Sequence, residues 1–245
     1  MNAAPSSRYL RGRLARSLGP GLVTVWSNCL AGGWLGGYLP GGERPVHLAL
    51  LLLGASALYA AGIFLGIASD RPSDASAGPV LRGWLRERTV AGLVLTGGSR
   101  LLLYPLASAA SLAPALSVAA GEGLLLASYV VGLGLLGYEE GSPDRLLRRW
   151  PWLLIVLPIA INAVLAWRLQ AWRVVVVALP AFWLLRIALG RTVPLKIGRG
   201  AALLAGVVLF DLRAVAACAP FLPWLGWFAI LFALVLACQR FVPAE

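Results

Sequence analysis

Two short acidic runs mark where this chain could do chemistry. Asp70 and Asp74 are four residues apart in SDRPSD, and Glu140 and Asp144 repeat that spacing in EEGSPD. Carboxylates are hard oxygen donors, and two such loops on one face could hold Mg²⁺ together with the phosphate oxygens of a substrate. The same groups could instead balance neighbouring arginines in solvated loops. A D-x-x-x-D spacing is common, and the spacing alone leaves both readings open.

The elements that must position these loops are apolar. The 245 residues are 60% hydrophobic and only 13% charged, with a mean hydropathy of +0.82. A soluble domain is nearer half apolar and a quarter charged. A bilayer core of about 30 Å needs roughly 20 apolar residues per helix, and such windows recur along the chain. Runs such as HLALLLLGASALYAAGIFLGIA lack the alternation of a membrane β-barrel. The pattern predicts an all-α integral membrane protein, one domain over residues 1–245. It is a bundle of about eight transmembrane helices, with spans near 21–39, 46–68, 89–119, 123–138, 151–167, 174–189, 200–219 and 221–238. The third span is long enough to be tilted, or broken near Gly97–Gly98 or Pro105. Trp150, Trp152, Trp167, Trp172, Trp224 and Trp227 fall at predicted span ends, where interfacial anchors belong.

Charge sets the orientation. With the N-terminus in the cytoplasm, 15 of the 21 Lys and Arg fall in inside segments; three (Arg44, Arg168, Arg173) lie outside and three (Arg100, Arg186, Arg213) within spans. That asymmetry is the positive-inside pattern. It predicts a multi-pass protein of the cytoplasmic membrane with both termini inside, and it explains the +11 net charge without nucleic acid as a partner. The basic start is followed by a span without a persuasive cleavage site, so no removable signal peptide is expected.

Several intramembrane residues need partners. Arg100 faces a polar cavity or snorkels along a tilted helix, because a mid-span charge costs several kcal/mol, roughly, if left in lipid. Glu122 lies too far towards the opposite face to serve it. Asp211 and Arg213, two apart on one helix, face different sides; Asp211 has Arg186 as a plausible interhelical partner. Asn162 reads as a packing hydrogen bond and His47 as interfacial. Cys29, Cys218 and Cys238 read as small packing residues. Gly32, Gly33, Gly36 and Gly37 form overlapping GxxxG patterns, which suit close packing within the bundle or a seam for a second copy or an accessory partner.

Taken in order, several segments resemble the UbiA-type intramembrane prenyltransferases. YAAGIFLGIASDRPSD is similar to their first signature, N-D-x-x-D-x-x-x-D. Asp70 and Asp74 match its second and third acids, with Arg71 after the middle one, while Gly66 and Ile67 stand for the Asn and the first Asp. PGLVTVWSNCLAGG resembles the first helix of the family, whose cavity-facing Asn is here Asn28. GGSRLLLYPLASAAS resembles a later helix with a buried Arg, here Arg100. SYVVGLGLLGYEE resembles the helix leading into the second signature, D-x-x-x-D, with Glu140 in place of the first Asp and Asp144 as the second. After Asp74 the chain lacks the family's arginine- and proline-rich loop and about two helices.

The resemblance implies two Mg²⁺ bridging the acidic loops and the diphosphate of an isoprenoid donor, with a lipophilic acceptor in a lipid-open cavity. Asp70, Asp74, Glu140 and Asp144 would be the metal-binding and catalytic carboxylates. Arg71, Arg145 and Lys196 would contact diphosphate, with Asn28 and Arg100 lining the substrate cavity. The expected function is isoprenoid diphosphate handling, with prenyl transfer reduced or lost. The alternatives are a non-catalytic lipid-binding or scaffold subunit, and a small-solute transporter.

Overall fold

Leucine, alanine and valine fill the long runs between the charged segments, and as helices such runs satisfy their backbone groups within themselves. The structure, a computed structural model, describes residues 7–37, 45–69, 96–109, 116–139, 150–166, 171–189, 199–218 and 223–241. These residues form eight helices, with no strand among them: α1 (Ser7–Leu35), α2 (Pro45–Ser69), α3 (96–109), α4 (Leu116–Glu139), α5 (Trp150–Ala166), α6 (Ala171–Ala188), α7 (Arg199–Cys218) and α8 (Pro223–Phe241). Among the described residues, the helical class and the number of helices are as the sequence predicts.

The boundaries differ from expectation in three places. Gly97, Gly98 and Pro105 lie inside α3, which is unbroken helix over the described residues 96–109. Leu116–Ala119, expected at the end of the third span, open α4 instead, so the Gly121-Glu122-Gly123 step is helix interior. A charge between two glycines looks like a loop; the partner that keeps it helical lies on a distant element. At the other extreme, α1 begins at Ser7 and runs through Pro20. It closes on Gly37 at φ 80°, whose amide donates to the Trp34 carbonyl at 2.9 Å, a left-handed helix end that suits glycine.

Named contacts give the helix directions. Trp26 Nε1 donates to Ser56 Oγ at 2.9 Å, and a Cβ at Gly21 would run into Tyr59, so α1 and α2 are antiparallel. Thr24 and Asn28 meet Arg100, and Gly32 abuts Tyr104 and Ala107, so α1 and α3 are parallel. Gly97 lies against Val131 and Gly123 against Leu101, making α4 antiparallel to α3. Gly132 beside Pro151 and Ile155, with Glu122 and Asn162 both on Arg213, sets α5 antiparallel to α4. Tyr129 on Leu203, with Glu122 on Arg213, does the same for α7. The C-terminal ends of α2 and α4 and the N-terminal ends of α3, α5 and α7 therefore lie at one end of the bundle.

α7 is central, packing on α1, α4, α6 and α8, while α2 leans on α1 and α5 bridges α4 and α6. The core between them holds Leu126, Tyr129, Ile155, Ile187, Val207 and Phe228. Small residues let backbones approach: a Cβ at Gly32 would lie 2.7 Å from the Tyr104 carbonyl oxygen. Gly32 is thus filled from within the chain by α3, and Gly37 is the exposed member of that glycine set.

Prolines inside helices free carbonyls that neighbours meet. Pro158 in α5 offers no amide to the Leu154 carbonyl, one turn back, and Ser128 of α4 donates to that oxygen at 3.1 Å. Pro105 likewise frees the Leu101 carbonyl, and Gly123 packs so closely on it that a Cβ there would lie 2.7 Å away. That geometry suits a Cα–H···O contact.

The outside of the bundle is greasy. Leu58 is 78% exposed, Val164 74% and Leu53 68%, with Phe182, Trp227 and Ile230 also outward. One described helix, over Leu116–Leu136, is long and apolar enough by length and composition to cross a membrane. Shorter apolar helices cover Ala49–Ala61, Trp150–Val164, Ala178–Ala188 and Leu225–Arg240.

Candidate functional site

The buried polar side chains converge on α7. Asp211 and Arg213 are two apart and point to different neighbours, as their helical phase requires. Asp211 is fully buried and accepts hydrogen bonds from three side chains. Ser27 Oγ and Tyr104 OH donate to it, and Asn28 Nδ2 donates to both carboxylate oxygens at 2.8 Å. The expected pairing with Arg186 gives way to this set, because α1 and α3 bring closer donors to that face.

Asn28 has a second partner. Its Oδ1 accepts from Arg100 Nη1, while Arg100 Nη2 donates to Thr24 Oγ1 at 2.8 Å. Thr24 in turn donates to the Gly21 carbonyl at 2.7 Å. Asn28 therefore bridges a buried cation and a buried anion, and the two charges fix which end of its amide faces which. Arg100 is only 3% exposed, so it turns inward and does not snorkel. Its guanidinium carbon sits 5.7 Å from the centre of the Tyr59 ring, a cation–π arrangement contributed by α2.

A second cluster lies deeper from the loop end. Arg213 Nη1 donates to Asn162 Oδ1 on α5, and Nη2 pairs with Glu122 Oε2 on α4. Glu122, too far from Arg100, thus serves the other α7 charge, and Asn162 does make an interhelical hydrogen bond. The buried charges Arg100, Asp211 and Arg213, with the part-buried Glu122 that pairs with Arg213, form two sets of opposite charges. Charges held away from water in opposite-sign, hydrogen-bonded sets avoid the cost of isolated ions.

Of the residues singled out by sequence, Asn28 and Arg100 are brought into direct contact. Asp70, Arg71, Asp74, Glu140, Asp144, Arg145 and Lys196 lie outside the described residues. Gly66 and Ile67 fall in the last turns of α2. Among the described residues, no three His, Cys, Asp or Glu stand close enough to hold a metal ion. Cys29 is buried beside the Asn28 cluster as a free thiol, and Cys238 is also free.

Sequence reading missed Thr24, Ser27, Tyr59 and Tyr104. A signal was present: Thr24 and Asn28, and likewise Arg100 and Tyr104, are four apart and share a helix face. Two polar faces on otherwise apolar helices ask for each other. What the arrangement can do is hold three helices in register and present Arg100, nearest the loop end, as a fixed positive group. Comparison with protein-family models, with curated proteins and with solved structures gives no match.

Proposed function

We propose that this chain is a multi-pass protein of the cytoplasmic membrane, a shortened relative of the UbiA-type prenyltransferases that handles an isoprenoid diphosphate at its cytoplasmic end. The membrane reading is supported by the inverted distribution of polarity: large apolar side chains outside, paired charges inside. An apolar exterior of that kind is matched by lipid and not by water.

The observation that carries the functional reading is topological. The segment with Asp70, Arg71 and Asp74 joins the end of α2 to the start of α3. The segment with Glu140, Asp144 and Arg145 joins the end of α4 to the start of α5, and Lys196 precedes α7. All these helix ends lie at one end of the bundle, which supports assigning both acidic runs and the lysine to the same face. Asn28 and Arg100, which the resemblance puts in one cavity, also touch. Four carboxylates fit Mg²⁺ as hard oxygen donors. When bound, the ion supplies charge neutralisation for a departing diphosphate. Arg71, Arg145 and Lys196 bind and orient the diphosphate oxygens, Arg as a fork and Lys as a point charge.

The test is thermal unfolding of the purified protein with farnesyl diphosphate, with and without Mg²⁺. A ligand that binds the folded state raises apparent stability by mass action. A Mg²⁺-dependent rise, lost in Asp70→Ala and Asp74→Ala, is the expected result. No rise at saturating diphosphate would sink the reading. One observation favours a non-catalytic membrane subunit instead: Gly66 and Ile67 supply no polar group where the resemblance expects an Asn and an Asp. On that reading the Asp70 and Asp74 variants are silent while changes at Gly32–Gly37 disturb assembly.

A further inference from the structure

The α4–α5–α7 cluster contains a polar atom that the protein does not satisfy. Asn162 is 2% exposed, and its Oδ1 is committed to Arg213. Turning the amide over would aim its N–H groups at a guanidinium that also only donates, so the orientation is fixed by chemistry. Its Nδ2 is thereby left buried with no hydrogen-bond partner among the described residues. A buried amide donor without an acceptor is costly, more so in hydrocarbon, and native proteins rarely keep one empty.

The surroundings say what would fit. Arg213 holds Asn162 and Glu122 on the two ends of one guanidinium, so an amide donor and a carboxylate acceptor sit on a common support. The Glu122 side chain is the outermost part of the cluster, 14% exposed against 5% for Arg213, whereas Asn162 Nδ2 is closed over, so an incoming group must part the side chains around it. Gly121 next to it is exposed, and nothing lies within 4 Å of where its Cβ would be. Val118 and Leu124 on α4, and Ile161 and Val164 on α5, each within four positions of Glu122 or Asn162 along the chain, are exposed apolar residues. A group that accepts one hydrogen bond and donates another, carried on an apolar body, complements this set. A hydroxyl does both.

We propose that Glu122, Asn162 and Arg213 form a second binding site, for the hydroxyl of a membrane-dissolved phenol or long-chain alcohol, which approaches past Gly121. The hydroxyl oxygen accepts from Asn162 Nδ2, and its proton is donated to the Glu122 carboxylate. No covalent step is involved. Glu122 is near the start of α4 and the acidic segments adjoin its far end, so this site is separate from the diphosphate site and does not depend on it.

The experiment is thermal unfolding of the full chain in detergent with para-hexylphenol, para-hexylanisole or hexylbenzene, without Mg²⁺ or diphosphate. The expected result is a saturable rise with the phenol, little with the ether, which accepts but does not donate, and none with the hydrocarbon. Asn162→Leu should weaken phenol binding about tenfold, as loss of one hydrogen bond implies. Because that variant also strips Arg213 of an acceptor, Gly121→Leu serves as a second test. It leaves all three polar residues in place, fills open space, and should abolish the phenol shift. The proposal is overturned if hexylbenzene shifts the wild type as much as the phenol. It is equally overturned if both variants keep the full shift, or if the phenol gives none, in which case water satisfies Asn162.

Discussion

Replacing Asp211 with alanine removes the acceptor that Ser27, Asn28 and Tyr104 share. Interhelical hydrogen bonds within membrane proteins average about 0.6 kcal/mol, so three lost bonds account for roughly 2 kcal/mol. The larger effect is electrostatic. Arg100 is buried, and the anion that Asn28 bridges to it disappears; breaking a buried charge pair by removing one partner costs about 3–5 kcal/mol. The two contributions overlap at Asn28, so the expected loss is about 4 kcal/mol and not their sum. The assay is reversible unfolding in mixed micelles of mild detergent and dodecyl sulfate, followed by helical circular dichroism. Arg100→Leu in the same background is the control that exposes the mechanism. With both charges gone no ion is stranded, and the double variant should recover about 2 kcal/mol relative to additive behaviour. A cost below about 1 kcal/mol for Asp211→Ala, or strict additivity of the two changes, would refute the bridged-pair account.

Other substitutions test the packing. Gly32→Ala puts a Cβ 2.7 Å from a backbone oxygen and 2.8 Å from the Ala107 Cβ, and should cost about 1–3 kcal/mol in the same assay. Gly54→Ala meets nothing within 4 Å; it should be neutral or stabilise by up to about 1 kcal/mol through helix propensity. Ser128→Ala should cost about 0.6 kcal/mol, and nothing once Pro158→Ala restores an amide for the Leu154 carbonyl, as a double-mutant cycle would reveal.

The helices were legible in the sequence because apolar run length decides them almost alone. The boundary near Glu122 was not, since a charge flanked by glycines resembles a loop until Arg213, far along the chain, is placed beside it. Half of the polar cluster could have been read from Thr24 with Asn28 and from Arg100 with Tyr104, whose spacing puts each pair on one face. Their meeting point on Asp211 could not. Periodicity says which residues share a face but not which helix that face meets, and Arg186 was as good a candidate from sequence as α1 and α3. The acidic runs were visible as pattern and lie outside the described residues; the structure shows that the helix ends flanking them share one end of the bundle.

The two charges of α7 also bear on how the protein is made. α7 is absent from the described helices that are apolar enough to count as spans, and in isolation a mid-helix Asp or Arg opposes insertion by about 2.5–3.5 kcal/mol each. On the proposed membrane reading, α7 should enter a bilayer readily only when Ser27, Asn28 and Tyr104 are there to receive Asp211, with Glu122 and Asn162 there for Arg213. All five reside on helices synthesised earlier. On that reading the order of the helices along the chain is an order of assembly, in which α7 follows the helices that carry its partners. A circular permutation that sends α7 out first should strand it outside the membrane.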